Sequence, residues 1–269
     1  MSLHVFDEAT ALTALAEGRF QGHTHKAYWN MAGPFGGMTA AVMLKAVLAH
    51  PQCRGRPVSQ TVNFCAAVAE GNFEVVVTLV RDGRSTQHWQ VEMVQGGAVV
   101  TSSSAVTGPE RETWNHLVAA PPQVPPADEV PVFDTSGRMG WMGAYRFRFH
   151  CGPPAPGASR EALGSGLTQV WAQDWPERAL GYPALASLAD TFVVKILQVR
   201  GDVPPVATVS LSTYFLGDEA ALARQGSRPL LATSDVRAFQ HGFSDQSSEL
   251  WSDDGELLAV SHQVVWFKS

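Results

Sequence analysis

Apolar residues in this chain fall into two kinds of run, and the order of the runs occurs twice. The first half opens on a short amphipathic helix near Asp7, followed by a strand-like "HKAYWNMAG" (25–33). Next comes "PFGGMTAAVMLKAVLAH" (34–50), apolar on every face, with Pro34 at the start where a helix tolerates proline. Strand patterns follow at 57–68 and 71–83, and then "STQHWQVEMVQ" and "AVVTSSSAV" flank the turn pair Gly96-Gly97, a hairpin signal. The second half offers "GAYRFRFH" and "LTQVWAQDW" as strands. A greasy helix, "LASLADTFVVKIL" (185–197), comes next, followed by strands at 205–215 and 229–239. A final hairpin turns at Asp254-Gly255.

The two halves read as one unit written twice. "RPVSQTVNF" echoes "PPVATVSLSTYF", and "GGAVVTSSSAV" echoes "DGELLAVSHQVV". Five prolines in residues 118–133 forbid a helix there and favour an extended connector between the copies. A helix apolar all round, followed by antiparallel strands, is buried most simply by a sheet that curls around it.

One letter breaks the symmetry. Asp190 sits among the apolar residues of the second helix, whereas the first helix has no acid. A carboxylate that a duplicated fold does not need requires a chemical reason. Only one of the two pseudo-equivalent sites can carry it, so one active site per chain is expected.

Composition narrows the function. The chain has 269 residues, 45% hydrophobic and 16% charged, with a net charge of −6 and no basic run. That argues against a nucleic-acid partner. No apolar stretch approaches the roughly 20 residues that span a bilayer, and the N-terminus lacks the pattern of a signal peptide. Three cysteines without paired spacing suit a reducing compartment. The reading is a cytoplasmic protein without a membrane partner, and exposed sheet edges favour a homo-oligomer, a dimer or higher.

Several chemistries lack their residues. "GRSTQ" and "GFSDQ" are not nucleophile elbows, and Cys65 lies among apolar strand neighbours. His23 and His25 have no third ligand at suitable spacing, so no metal is expected, and neither is a cofactor.

"TLVRDGRS" (78–85), "WAQDWP" followed by "ALASLAD", "PVATVSLSTYF" and "ELWSDDGELLAVSHQ" (249–263) together resemble the acyl-CoA thioesterase II family. The resemblance covers nearly the whole chain. It implies an α+β double hotdog, two tandem hotdog units each with a long helix wrapped by an antiparallel β-sheet. The units are set at 1–117 and 141–269, with a Pro-rich linker at 118–140. It implies an acyl-CoA substrate and an activated-water mechanism in which Asp190 orients and activates the water, while Thr208 and Gln263 complete its hydrogen bonds. "FGGM" stands where the family often carries a "YGGQ"-like helix start.

Gly36 and Gly37 open the first helix, where free N–H groups could serve an oxyanion, and Trp29 and Phe35 beside them are candidates to line an acyl pocket. Arg84, Arg228 and Lys195 are candidates for the CoA phosphates. Two other readings are a hotdog dehydratase or hydratase pairing Asp190 with His25, and a non-catalytic acyl-CoA-binding module.

Overall fold

The structure, a computed structural model, describes residues 3–154, 165–201 and 204–268. The first unit contains α1 (Val5–Ala9), β1 (Thr13–Ala16), β2 (Arg19–His23), α2 (Gly36–Leu48), β3 (Arg56–Phe64), β4 (Asn72–Asp82), β5 (Gln87–Gln95) and β6 (Ala98–Gly108). The second contains β7 (Tyr145–Cys151), β8 (Thr168–Asp174), α3 (Tyr182–Leu188), α4 (Lys195–Arg200), β9 (Val206–Phe215), α5 (Glu219–Gln225), β10 (Leu230–Asp235), β11 (Phe239–Gln240), β12 (Phe243–Trp251) and β13 (Leu257–Phe267).

The strands form one antiparallel sheet in the order β1-β2-β4-β5-β6-β3-β9-β13-β12-β10-β8-β7, with β11 beside β12. Read outward from its centre, the first unit runs β3-β6-β5-β4-β2 and the second β9-β13-β12-β10-β8. The duplication legible in the sequence is therefore a duplication of topology. The copies join edge to edge through β3 and β9, where the Thr61 and Ser212 hydroxyls lie 2.9 Å apart. Strand edges that would invite foreign pairing are consumed at this seam. The sheet wraps α2 and α3, which pack on each other, and this is the α+β double hotdog. Almost every residue of α2 is buried, as its all-round apolar sequence requires.

The helix expected over 185–197 is broken. α3 ends at Leu188, and the Thr191 hydroxyl donates to the Leu188 carbonyl at 2.8 Å. The following Phe-Val-Val run is poor helix sequence, so the chain restarts only at Lys195, in α4. Asp190 thus lies just past a helix end, not within a helix. Residues 25–33 are no strand either. His25 caps a single 3₁₀ turn, Lys26–Tyr28, through its Nδ1. The N-terminal helix stops at Ala9 and a hairpin, β1–β2, follows. A further helix, α5, lies between the strands at 205–215 and 229–239, capped by Asp218, which accepts from the Ala221 N–H at 2.7 Å.

The proline-rich segment lies against the outer side of the second unit. Val124, Ala127 and Val130 pack with Trp171, Leu231 and Trp251, and the Trp171 indole donates to the Pro125 carbonyl. None of the described helices is long and apolar enough to cross a membrane.

Candidate active site

Helix α2 starts without a side-chain cap, which leaves its first-turn N–H groups in need of acceptors. The Asp190 carboxylate supplies one from outside the helix by accepting the Gly37 N–H. The positive end of the helix dipole favours a charge there. The second donor to Asp190 is Gln263 on β13, whose Nε2 lies 2.7 Å from Oδ1. Thr208 on β9 donates to Gln263 Oε1 at 3.5 Å. The structure therefore brings Asp190, Gln263 and Thr208 into one chain of hydrogen bonds.

A bulge is what lets Thr208 join. Leu211, Thr213 and Phe215 alternate onto the inner face of β9 and are buried. Strict alternation would place Val209 next on that face. Instead Val264 pairs with Ser210 and Val265 with Thr208, so Val209 is the extra residue and is 39% exposed. The bulge turns Thr208 inward beside Gln263.

Asp190 is 7% exposed. Burial pushes its carboxyl up from 3.8 to about 7, and the hydrogen bonds from Gly37 and Gln263 oppose that rise without cancelling it.

Both glycines of "FGG" are required by close approach. A Cβ on Gly36 would lie 2.8 Å from Asp190 Oδ2, and one on Gly37 would lie 2.5 Å from the Ser187 carbonyl of α3. Backbone cannot yield as a side chain tip can. Gly37→Ala is therefore expected to destabilise the protein by about 1–3 kcal/mol, read as a lower urea midpoint at unchanged m-value. Because the Gly37 N–H is committed to Asp190, it is not a free oxyanion donor. Gly36 keeps its place at the cavity wall.

Asp190, Thr208 and Gln263 face a cavity of about 950 Å³. Its walls are largely apolar and aromatic, including Phe35, Trp141, Phe149 and Phe192. Phe35 lies flat on Trp141 with ring centroids 4.3 Å apart, which fixes one wall. Trp29 does not line the cavity. Its carbonyl accepts the Trp141 N–H at 3.2 Å, so it secures the Trp141 turn instead.

The suggested phosphate cations lie elsewhere. Lys195 is 1% exposed, its ammonium donating to Thr168 at 2.7 Å. Arg228 is paired with Asp253 in a different cleft, and Arg84 is not among the cavity residues. Among the described residues the cation on this cavity's lining is Arg138, exposed at its rim. Arg138 and Trp141 lie in and just after the stretch read as a linker. The signal there was the cluster of apolar and aromatic letters, Val132, Phe133, Trp141 and Met142, that a solvated connector does not need. Among the described residues no cluster of His, Cys, Asp and Glu is placed to hold a metal.

Comparison with known proteins gives this geometry a family. Residues 25–108 match the model of the acyl-CoA thioesterase N-terminal domain, and residues 119–267 match that of the C-terminal domain. A conserved protein of unknown function with a hot dog fold from Alicyclobacillus acidocaldarius is 41% identical. It superposes with a TM-score of 0.94 over 100% of this chain and 99% of its own. A putative thioesterase II from Thermobifida fusca YX is 19% identical, with a TM-score of 0.82 and coverage of 98% and 97%. The acyl-CoA thioesterase II TesB2 from Mycobacterium marinum is 21% identical, with a TM-score of 0.77 and coverage of 98% of each chain. No curated protein matches the chain by sequence. Two family models that together span most of the sequence, in the order in which the two hotdog units are built, show that the chain belongs to the acyl-CoA thioesterase family.

Proposed function

We propose that the protein hydrolyses an acyl-CoA thioester to the free acid and CoA, with a water activated by Asp190. The observation that carries this reading is the Asp190 carboxyl itself. It is held by Gln263 and Gly37, faces an apolar cavity large enough for an acyl chain, and is pushed by burial up to about 7. A base poised near the working pH combines availability with driving force.

The acyl group occupies the aromatic cavity, with its carbonyl near the start of α2. Asp190 takes a proton from a water held between its carboxylate and Thr208, and the oxygen attacks the carbonyl carbon. Negative charge moves to the carbonyl oxygen, and the Gly36 N–H at the helix start is the donor proposed for it. Collapse of the tetrahedral intermediate breaks the C–S bond, and the proton from Asp190 neutralises the CoA thiolate. Gln263 and Thr208 orient and do not remove protons, since neither is a base at neutral pH.

The dehydratase reading needs a histidine opposite Asp190. His25, the candidate for that role, is occupied as the cap of the Lys26–Tyr28 turn, and the described cavity residues include no histidine.

The test is incubation of purified protein with a panel of acyl-CoAs, following free thiol and enoyl absorbance in the same samples. Thiol release without enoyl turnover supports hydrolysis. Enoyl turnover, or binding without either product, sinks it. Arg138, at the rim, is assigned to the CoA phosphates. Arg138→Ala should raise KM about 5- to 10-fold with kcat little changed, because a rim contact contributes equally to ground and transition states.

A further inference from the structure

The two units supply an internal comparison. Counting forward from their hairpin turns, "GGAVVTSSSAV" and "DGELLAVSHQVV" align Ala105 with Gln263. In the first unit Ala105 pairs with Trp89, and Val91 pairs with Val77. At the same register in the second unit Gln263 pairs with Gln246, and Ser248 pairs with Ser234. All eight residues are buried. The hotdog sheet is thus complete with an apolar set at these positions, and the polar set needs a separate reason.

The polar set is also unsatisfied by the protein. Both amide atoms of Gln246 and the hydroxyls of Ser234 and Ser248 find no partner among the described residues. These side chains are 1%, 2% and 3% exposed in turn. Buried polar atoms without partners are costly, and water that makes two to four hydrogen bonds is the usual remedy. By residue type, the side-chain volume lost where Gln246 stands for a tryptophan and Ser234 and Ser248 for valines exceeds that gained where Gln263 stands for Ala105. At the far end the Lys195 ammonium donates to Thr168 at 2.7 Å and to Gln198 and the Ser234 carbonyl at 3.3 Å each, so its three N–H groups are taken and the Ser234 hydroxyl is left to water.

We propose that Gln246, Ser248 and Ser234 bind ordered water behind Gln263, and that water bridging the two glutamine amides holds Gln263 with Nε2 toward Asp190. A glutamine amide is nearly isosteric with its flipped form, and the flipped form would turn an oxygen toward the carboxylate. The ionised carboxylate selects Nε2, the 3.5 Å bond from Thr208 steadies the amide only weakly, and a bridging water on the opposite side adds a second contact that holds it in place. Gln246 is then a positioning residue for Asp190. The catalytic consequence rests on the hydrolytic reading above, while the water site stands on the polar atoms alone.

The test combines a high-resolution crystal structure of the protein with Gln246→Leu and Ser248→Val, the second restoring the residue of the twin unit. Ordered water between Gln246 and Gln263 is expected. Both variants should unfold at urea concentrations equal to or above that of the parent. Gln246→Leu should lower kcat about tenfold with KM held within about twofold, because a loosened base costs rate more than binding. The Asp190 carboxyl, followed by carbon-13 NMR, should titrate at higher pH in Gln246→Leu. A dry gap between the glutamines overturns the proposal, as does an unmoved Asp190 titration. If the parent hydrolyses no acyl-CoA but holds the water and shows the shifted titration in the variant, the water site stands and the hydrolytic reading falls.

Discussion

Asp190→Asn is expected to lower kcat for acyl-CoA hydrolysis about 10²–10⁴-fold while the protein stays folded, the range for loss of a positioned general base. The fold should survive because the site can invert its hydrogen bonds. An asparagine oxygen still accepts the Gly37 N–H. Its NH₂ then faces Gln263, which can flip to offer Oε1, and the Thr208 hydroxyl can switch from donor to acceptor. Only the proton acceptor is lost. Thiol release under single-turnover conditions, with circular dichroism and urea unfolding on the same sample, measures both halves of the expectation. A folded variant that hydrolyses as fast as the parent removes Asp190 from the mechanism.

Asp190 stands out in the sequence because of the duplication. The first helix, α2, showed that the fold is complete without an acid, and the family motifs aligned Thr208 and Gln263 with it. Local patterning also placed β3 to β6 and both hairpins, because alternation and turn glycines act within a few residues. What escaped was set by distant contacts. The break after Leu188 depends on Thr191 bonding back to the last turn, within a run whose apolar spacing still fits a helix. The inward turn of Thr208 depends on a bulge that only the pairing with β13 defines. The commitment of the Gly37 N–H to Asp190 joins two units far apart in sequence. Trp29 and Phe35 are near neighbours in sequence, yet only Phe35 reaches the cavity, because the Trp29 carbonyl is held by the Trp141 main-chain N–H.

The same carboxyl links activity to stability through pH, with opposite signs. Asp190 must be ionised to accept a proton, so kcat/KM should rise with pH through about 7, where its carboxyl titrates in the folded protein. Stability runs the other way. The folded carboxyl titrates near 7 against 3.8 when unperturbed, so the folded state binds the proton more tightly than the unfolded chain does. Below about pH 4 both states are protonated and the group costs nothing. As pH rises from about 4 to 7 the unfolded chain ionises first, and stability falls by about 1.4 kcal/mol per pH unit, on the order of 4 kcal/mol in all. Asp174, pushed by burial to about 6, adds a slope of the same sign, but it does so equally in the parent and in Asp190→Asn and cancels in the comparison. The stability difference between Asp190→Asn and the parent should therefore move in favour of the variant as pH rises from 4.5 to 7.5, then level off. Urea midpoints measured across that range test it, and parallel curves would mean that the Asp190 carboxyl is not displaced. The burial that lifts the Asp190 carboxyl to about 7, where the proposed base must work, is thus the same burial that weakens the fold there.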